Sequence, residues 1–376
     1  VKRLHLLGYQ STELPQDFWQ ASHCEILIMD RWAKERKGEV SLLKEKLPEI
    51  KNHVWLSTSG TLAISGSSKW IALSKEALLA SADAVNQHLS IQKNQSWGLS
   101  LPLAHVGGLG IIARTHLLGQ KVISLQKERW HPEQVAKGAW SGHWLSLVPT
   151  QLHDIVAKKL IPPEHLVGVI LGGDRLDESL RLSAIELGWP VLPSYGLTEF
   201  SSQVATATQP TDSHIKILSH AQLRVDSDER LWIKGLALFT GMARLENKNF
   251  EYVERTDEWW GTQDRAEIRD DTLLLKGRLD SVVKVRGEKV DITALESYLA
   301  TQLNSSLVII PIIQERDGFE LWSVSENDLK LEQLNDVLLP HQKIKGHKVL
   351  DSFPRTELGK IRRGEVYDWL MSQLKK

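Results

Sequence analysis

The apolar positions of this chain show two textures. Between about residues 54 and 193, short apolar runs alternate with amphipathic stretches. The runs at 54–57, 97–101, 121–125, 144–147, 166–171 and 191–193 have too little polar alternation for one wet face, as expected of strands covered on both sides. The stretches 74–89, 109–118, 151–159 and 177–187 carry apolar residues at helical spacing. In the first of these, Ser74 offers an N-cap hydroxyl, and Leu78, Ala82, Val85 and Leu89 form one stripe. Strand and helix alternating in this way predict parallel α/β layers. Residues 1–50 read as amphipathic helix, with 25–29 as a first strand. From about residue 215 the pattern changes to short strands with turns, at 222–225, 230–234, 250–252, 267–268 and 272–275. These predict a β-rich subdomain. After the segment GRLD at 277–280, a strand at 281–286 and a helix near 293–302 open a further unit that runs to residue 376. The expected architecture is therefore α/β: a large N-terminal domain over 1–279, and a small α+β C-terminal domain over 280–376.

Composition narrows the class without naming it. The 376 residues are 41% hydrophobic and 25% charged, an ordinary globular balance. Lys and Arg number 46 against 47 Asp and Glu, for a net charge of −1. Such a balance gives no electrostatic reason to expect nucleic acid or an anionic membrane as partner. No apolar stretch approaches the roughly 18 residues of a membrane span, and the N-terminal apolar run is too short for a signal peptide. Cys24 is the single cysteine, so no intrachain disulfide can form, which fits a reducing cytoplasm.

The chemistry concentrates in short glycine-bearing motifs. Residues 193–202 read PSYGLTEFSS and bring an aromatic ring, a glycine, a hydroxyl and a carboxylate close together as Tyr195, Gly196, Thr198 and Glu199. That set suits an adenine ring, a phosphate oxygen and a magnesium ion. Residues 57–69 (STSGTLAISGSSK) are rich in backbone donors and hydroxyls, including Thr58, Ser59, Gly60 and Thr61. Glycines let the main chain approach phosphate, and Lys69 can neutralise it. In LPLAHVGGLG (101–110), His105 stands before paired glycines at a strand-to-helix turn. In LGGD (171–174), Gly172 and Gly173 let a flat ring or ribose approach a strand's C-terminal edge. Asp264 in TQDRAE (262–267) precedes a strand, where an aspartate can hold both ribose hydroxyls. In GRLDSVVKVRG (277–287), Arg278 can reach ribose or phosphate, and alternation places Lys284 and Arg286 opposite Val283 and Val285. Lys360 follows a glycine in FPRTELGKIRR (353–363). Each motif alone has a plain reading as turn, loop or solvated face.

Taken in order, YGLTE, GRLD…RG and PRTELGK resemble the adenylate-forming acyl-CoA synthetase superfamily over about residues 54–376. Within it, the text at 101–114, 145–152, 195–205 and 262–268 is most similar to the o-succinylbenzoate–CoA ligases of menaquinone biosynthesis. The resemblance implies ATP, Mg²⁺ and coenzyme A as cofactors and a small carboxylic acid as substrate. It implies that the loop from Thr58 to Lys69 cradles the β- and γ-phosphates. Tyr195 would stack on adenine, Thr198 would bond the α-phosphate and Glu199 would hold Mg²⁺. Asp264, with Arg278 beside it, would bind the ribose. Asp280 would be the hinge of a mobile C-terminal domain. Lys360 would bridge the acyl carboxylate and the α-phosphate, and the strand from Lys284 to Gly287 would later face the CoA thiol. The chain departs from the family pattern at three points. Lys69 lies three residues further along than the family's loop lysine, TGD has become TQD, and only 57 residues precede the loop, which implies a shortened N-terminal part.

o-Succinylbenzoate carries a second carboxylate that needs donors or a cation. His105 and Arg114 are the candidates, with Ser201, Ser202 and Gln151 as polar wall. Nine residues separate His105 from Arg114, which are opposite faces of one continuous helix. Either the helix begins after Gly108 or only one of the two reaches the acid. The competing expectations are a CoA ligase for another aryl or fatty acid, an adenylation domain that loads a carrier protein, and a nucleotide-binding protein without catalysis.

Overall fold

The computed structural model describes residues 2–8, 11–35, 37–58, 67–125, 130–136, 140–212, 214–246, 249–303, 305–314, 318–356 and 358–375. Its strands form sheets of six, eleven and five. The eleven-stranded sheet holds the expected parallel unit. Val122–Ser124, Trp97–Leu99, Trp144–Leu147, Gly168–Leu171 and Val191–Leu197 lie side by side in that order, all parallel. Trp144–Leu147 and Gly168–Leu171 are buried at every position, because helices cover both faces. On one face, Pro149–Ala157 and Glu178–Glu186 pack Leu152, Ile155 and Ala184 against Val169, Leu171 and Val191. On the other face lie Lys75–His88 and Val106–Leu118. Their residues Leu78, Val85, Leu109 and Ile111 share one core with both large sheets. Ser74 caps the first of these helices as expected, its hydroxyl accepting the Ala77 N–H at 2.9 Å.

The six-stranded sheet differs from the expectation for residues 1–50. Lys2–Leu7 is a strand, paired in parallel with Cys24–Met29. Only the helices Asp30–Glu35 and Lys37–Lys46 remain of the helical reading. The partner strand lies beyond a long connection, so local periodicity carries no sign of it. Cys24–Met29 is wholly buried and includes Glu25. That carboxylate is compensated by Lys75 Nζ at 3.3 Å and His5 Nε2 at 2.8 Å.

The β-rich stretch continues both large sheets. Gly241–Glu246 pairs antiparallel onto Ser67–Ser74, and Asn249–Glu254 pairs antiparallel onto Gly241–Glu246, extending the six-stranded sheet. Ile215–Ile217, Gln222–Val225, Arg230–Lys234, Trp260–Arg269 and Thr272–Arg278 extend the eleven-stranded sheet. The last five strands, beginning at Val282–Val285, make the third sheet. It is backed by Ile292–Leu303 on one side and Arg363–Leu374 on the other. Asp280 lies between Thr272–Arg278 and Val282–Val285, at the transition between these sheets. Among the described residues no helix is long and apolar enough to cross a membrane.

Candidate active site

The strand Val191–Leu197 runs directly into the short 3-10 turn Thr198–Phe200 and returns antiparallel as Ser202–Thr206. This is where the parallel part of the sheet ends and the antiparallel part begins. The carboxyl edge of parallel strands at such a change of direction is the usual ligand-binding place. The reversal is tight. Ser201 and Ser202 adopt φ of 51° and 106°, a conformation that costs about 1–3 kcal/mol per non-glycine residue. A Cβ on Gly196 would stand 2.0 Å from the Ser202 carbonyl oxygen. Gly196→Ala is therefore expected to push the two strands apart and destabilise the fold by about 1–3 kcal/mol. A wild-type thermal midpoint in that variant would refute the close approach.

Tyr195 is buried, and its hydroxyl donates to Asp264 Oδ2 at 2.6 Å. Burial, reinforced by the Asp264 charge, pushes the phenol well above its ordinary pKa, so it stays a donor. Asp264 is itself raised by burial, against the opposing pull of the Tyr195 hydrogen bond and Arg278. Thr262 braces this aspartate, its hydroxyl accepting the Asp264 N–H at 3.0 Å. Asp264 and Arg278 are direct partners across the antiparallel ladder. Arg278 Nη1 lies 3.1 Å from Asp264 Oδ1. Its Nε and Nη2 donate to the two oxygens of Asp280 at 2.8 and 2.7 Å. This paired contact is the strong, directional kind. It holds Arg278 well above the usual guanidinium range. One hydrogen-bonded line thus runs from Tyr195 to the start of the third sheet.

Thr58 and Lys69 face each other across the pairing of His53–Thr58 with Ser67–Ser74. Lys69 therefore stands on a strand, whereas the sequence placed it in the loop. Ser59, Gly60 and Thr61 lie outside the described residues. Lys69 Nζ sits 2.6 Å from Glu199 Oε1, which joins the supposed phosphate cation to the supposed metal ligand. Among the described residues no group of three or more His, Cys, Asp or Glu could hold a metal ion. A single carboxylate beside a hydroxyl suits Mg²⁺, which keeps several waters and takes the remainder of its shell from substrate phosphates.

Gly172 and Gly173 follow the strand Gly168–Leu171 and lead to Asp174. Lys360 Nζ lies 3.9 Å from Asp174 Oδ2, so the C-terminal lysine stands at this same edge. Lys284 and Gly287 are elsewhere. Val282–Val285 and Glu288–Asp291 form a hairpin in which Arg286 and Gly287, at φ 51° and 87°, make the turn. Val285 is buried while Lys284, Arg286 and Gly287 are exposed, as alternation predicted for the two charges. Among the described residues no hydrogen bond or ion pair joins Lys284 or Gly287 to the Tyr195 cluster. The hairpin borders a cleft of about 540 Å³ whose lining includes Arg286, His341, Lys343, Lys345 and Phe319.

His105 is the N-cap of the helix Val106–Leu118, which begins before Gly108. The helix therefore does not begin after Gly108, and His105 precedes it in extended backbone, with φ −107° and ψ 144°. Arg114 is 2% exposed. It donates to Gln203 Oε1 at 2.6 Å and to the Gly110 carbonyl at 3.1 Å, and lies 4.3 Å from the centre of the Trp97 ring. Among the described residues it has no carboxylate partner, and burial pushes its pKa down, to about 9. A buried cation so placed has a strong preference for an anion. It lines a narrow crevice with Gly110, Ser201, Ser202 and Gln203. Ser201 Oγ donates to the Ala237 carbonyl at 2.8 Å. The Gln151 side chain bonds the Val148 N–H and the Ser100 carbonyl, at 3.1 Å in both cases. These two groups thus brace the backbone. Sequence reasoning missed Gln203, Asp174 as the neighbour of Lys360, and Thr150. The segment LSLVPTQL contains Thr150 but gives no sign of a partner more than 200 residues on.

A layered α/β body is joined here to a smaller α+β unit, and the sequence places the chain in the class of AMP-binding, adenylate-forming enzymes. The AMP-binding enzyme family profile matches residues 21–237, more than half of the chain, and the chain belongs to that family. It is similar to the 2-succinylbenzoate–CoA ligase of Escherichia coli (strain K12), at 28% identity over 263 residues, which cover 69% of this chain and 56% of that protein. The enzyme of the same name from Salmonella typhimurium is 30% identical over 253 residues, covering 67% and 53%. The chain thus spans little more than half the length of these two relatives. The fold matches that of o-succinylbenzoate CoA synthetase (MenE) from Bacillus subtilis in complex with the acyl-adenylate intermediate OSB-AMP. The TM-score is 0.73 at 21% identity, covering 97% of this chain and 82% of that one.

Proposed function

We propose that this protein activates a carboxylic acid with ATP and passes the acyl group to coenzyme A, and that the acid is o-succinylbenzoate, in menaquinone biosynthesis. The observation that supports this best is that Tyr195–Asp264 and Lys69–Glu199 gather at the end of the strand Val191–Leu197, with Lys360 beside Asp174 after the neighbouring strand Gly168–Leu171. Domains 1–279 and 280–376, hinged at Asp280, are part of the same proposal.

In this reading the Tyr195 ring borders the adenine, and Asp264, kept in place by Tyr195, Thr262 and Arg278, accepts from the ribose hydroxyls. Gly172 and Gly173 leave room for the nucleoside at the strand edge. Thr198 donates to the α-phosphate. Thr58, Lys69 and the intervening loop hold the β- and γ-phosphates. Bound at Glu199, Mg²⁺ would supply Lewis-acid neutralisation of the phosphates. A carboxylate oxygen of the acid attacks the α-phosphorus while the bond to pyrophosphate breaks. Both partners are anionic, so a cation between them lowers the barrier, and Lys360 is the residue that can supply it. In the second half-reaction the thiol sulfur attacks the acyl carbon and AMP leaves. The Lys284–Gly287 hairpin would then face the thiol, with the cationic cleft beside it suited to the phosphates of coenzyme A. Arg114 and Gln203 would hold the second carboxylate of o-succinylbenzoate, with Ser202 at the crevice wall. His105, at the N-cap of the same helix, would line the acid's approach.

Arg114→Ala should raise KM for the dicarboxylate by about 10- to 100-fold, the range for losing a hydrogen bond to a charged group. KM for ATP should stay near wild type. Unchanged values for both would remove Arg114 from the acid site. The overall test is incubation with ATP, Mg²⁺, coenzyme A and a panel of acids, with thioesters read by mass spectrometry. A thioester of o-succinylbenzoate alone supports the whole reading. Thioesters of other acids keep the reaction and discard this substrate. Nucleotide binding without pyrophosphate release from any acid discards the reaction.

A further inference from the structure

Lys360 lies in a turn between the strand Ile344–Val349 and the helix Arg363–Leu374, so something must hold that turn at the candidate nucleotide edge. The turn is braced internally. Thr356 N–H donates to the Lys360 carbonyl at 2.8 Å, and Gly359 N–H donates to the Thr356 carbonyl at 2.9 Å. Arg355 Nη1 donates to the Gly359 carbonyl at 2.9 Å. These bonds shape the turn but do not place it. Across the gap, Thr150 Oγ1 donates to the Leu358 carbonyl at 2.8 Å. Thr150 stands in the first turn of the helix Pro149–Ala157, which directly follows the parallel strand Trp144–Leu147. Its side chain is also where Gly359 packs. Gly359 has φ of 77°, and a Cβ there would meet Thr150 Oγ1 at 2.8 Å and Thr150 Cβ at 3.1 Å. The lysine that follows lies 3.9 Å from Asp174, at the end of the neighbouring strand Gly168–Leu171.

We propose that Thr150 is a positioning residue: its hydroxyl clamps the Leu358–Gly359 turn and so sets Lys360 at the nucleotide edge for the first half-reaction. The proposal rests on the acid-activating reading for its kinetic consequence, and on the contact alone for its structural one. A clamp made only in this domain arrangement stabilises the arrangement in which Lys360 acts. It has no part in an arrangement that turns the Lys284–Gly287 hairpin inward. A single net hydrogen bond shifts such an equilibrium about five- to tenfold.

Thr150→Val removes the donor and keeps the shape; Thr150→Ser keeps the donor. With o-succinylbenzoate, acid-dependent exchange of pyrophosphate into ATP should fall about five- to tenfold in Thr150→Val and recover in Thr150→Ser. Thioester formation from supplied acyl-adenylate should be unchanged or faster in both. A merely structural role would slow both half-reactions together. Limited tryptic cleavage after Lys360, mapped by mass spectrometry without substrates, reads the clamp independently of activity. It should quicken in Thr150→Val by a similar factor and stay at the wild-type rate in Thr150→Ser. Equal cleavage rates in wild type and Thr150→Val overturn the proposal, as does equal loss in both half-reactions. Lys360→Ala serves as the control for the underlying reading. If it abolishes exchange while Thr150→Val changes nothing, the clamp fails and the reading stands. If Lys360→Ala leaves exchange intact, the reading itself fails.

Discussion

Lys360→Ala should slow acyl-adenylate formation by about 10²–10³-fold, the usual loss when one preorganised transition-state contact is removed. The argument is electrostatic. A carboxylate must approach a phosphate, and the repulsion between them is greatest as the new P–O bond forms. Lys360 Nζ stands 3.9 Å from Asp174 and is shielded from bulk water, with a side-chain exposure of 18%. A charge in that setting acts more strongly than one in water. The same substitution should spare thioester formation from supplied acyl-adenylate, where no phosphate is attacked. Pyrophosphate exchange and single-turnover thioester formation, measured side by side, decide it. An equal loss in both half-reactions would remove Lys360 from the role.

Glu199→Gln is expected to lower the first half-reaction by a similar 10²–10³-fold, for a different reason. The carboxylate directly follows Thr198 in the chain, and it already pairs with Lys69 at 2.6 Å. The amide keeps the shape, loses the charge that attracts a divalent cation, and leaves the Lys69 charge without its partner. Nucleotide affinity measured without a divalent cation should therefore hold or rise, since Lys69 is left free to meet phosphate. The gain in affinity that Mg²⁺ gives the wild type should shrink. Titration of a fluorescent ATP analogue with and without Mg²⁺ separates the two effects. A variant that keeps the full Mg²⁺ enhancement would take Glu199 out of the metal's shell.

Much of the site could be read in the chain because its parts are local. Tyr195, Thr198 and Glu199 come from one strand end, and Asp264 and Arg278 from one antiparallel pair. Gly287 and Gly359 sit in turns, where the backbone conformation is set by near neighbours. The parallel strands were legible for a similar reason: a short apolar run bounded by turns keeps its meaning whatever lies beside it. The long-range partners were not legible. Lys2–Leu7 carries charge at Lys2 and Arg3 and becomes a strand only by pairing with Cys24–Met29. Lys69 looked like part of a loop until its pairing with Thr58 and Arg244 put it on a strand. Arg114 read as a candidate ligand for the acid, with no sign of its surroundings. Its burial against Trp97 and Gln203 depends on contacts between a helix, a parallel strand and an antiparallel strand.

The division follows the range of the forces involved. Apolar spacing, caps and glycine turns act over a few residues, so the α/β class, the order of the motifs and the chemical types gathered in them were determined by the sequence alone. Pairing register, burial of a charge and contact between sheets depend on surfaces brought together from distant segments. Tertiary structure therefore decided that Lys69 meets Glu199, that Arg114 is buried against Gln203, and that Thr150 receives the turn bearing Lys360. No local pattern encodes those contacts, because each requires that both partners already be folded.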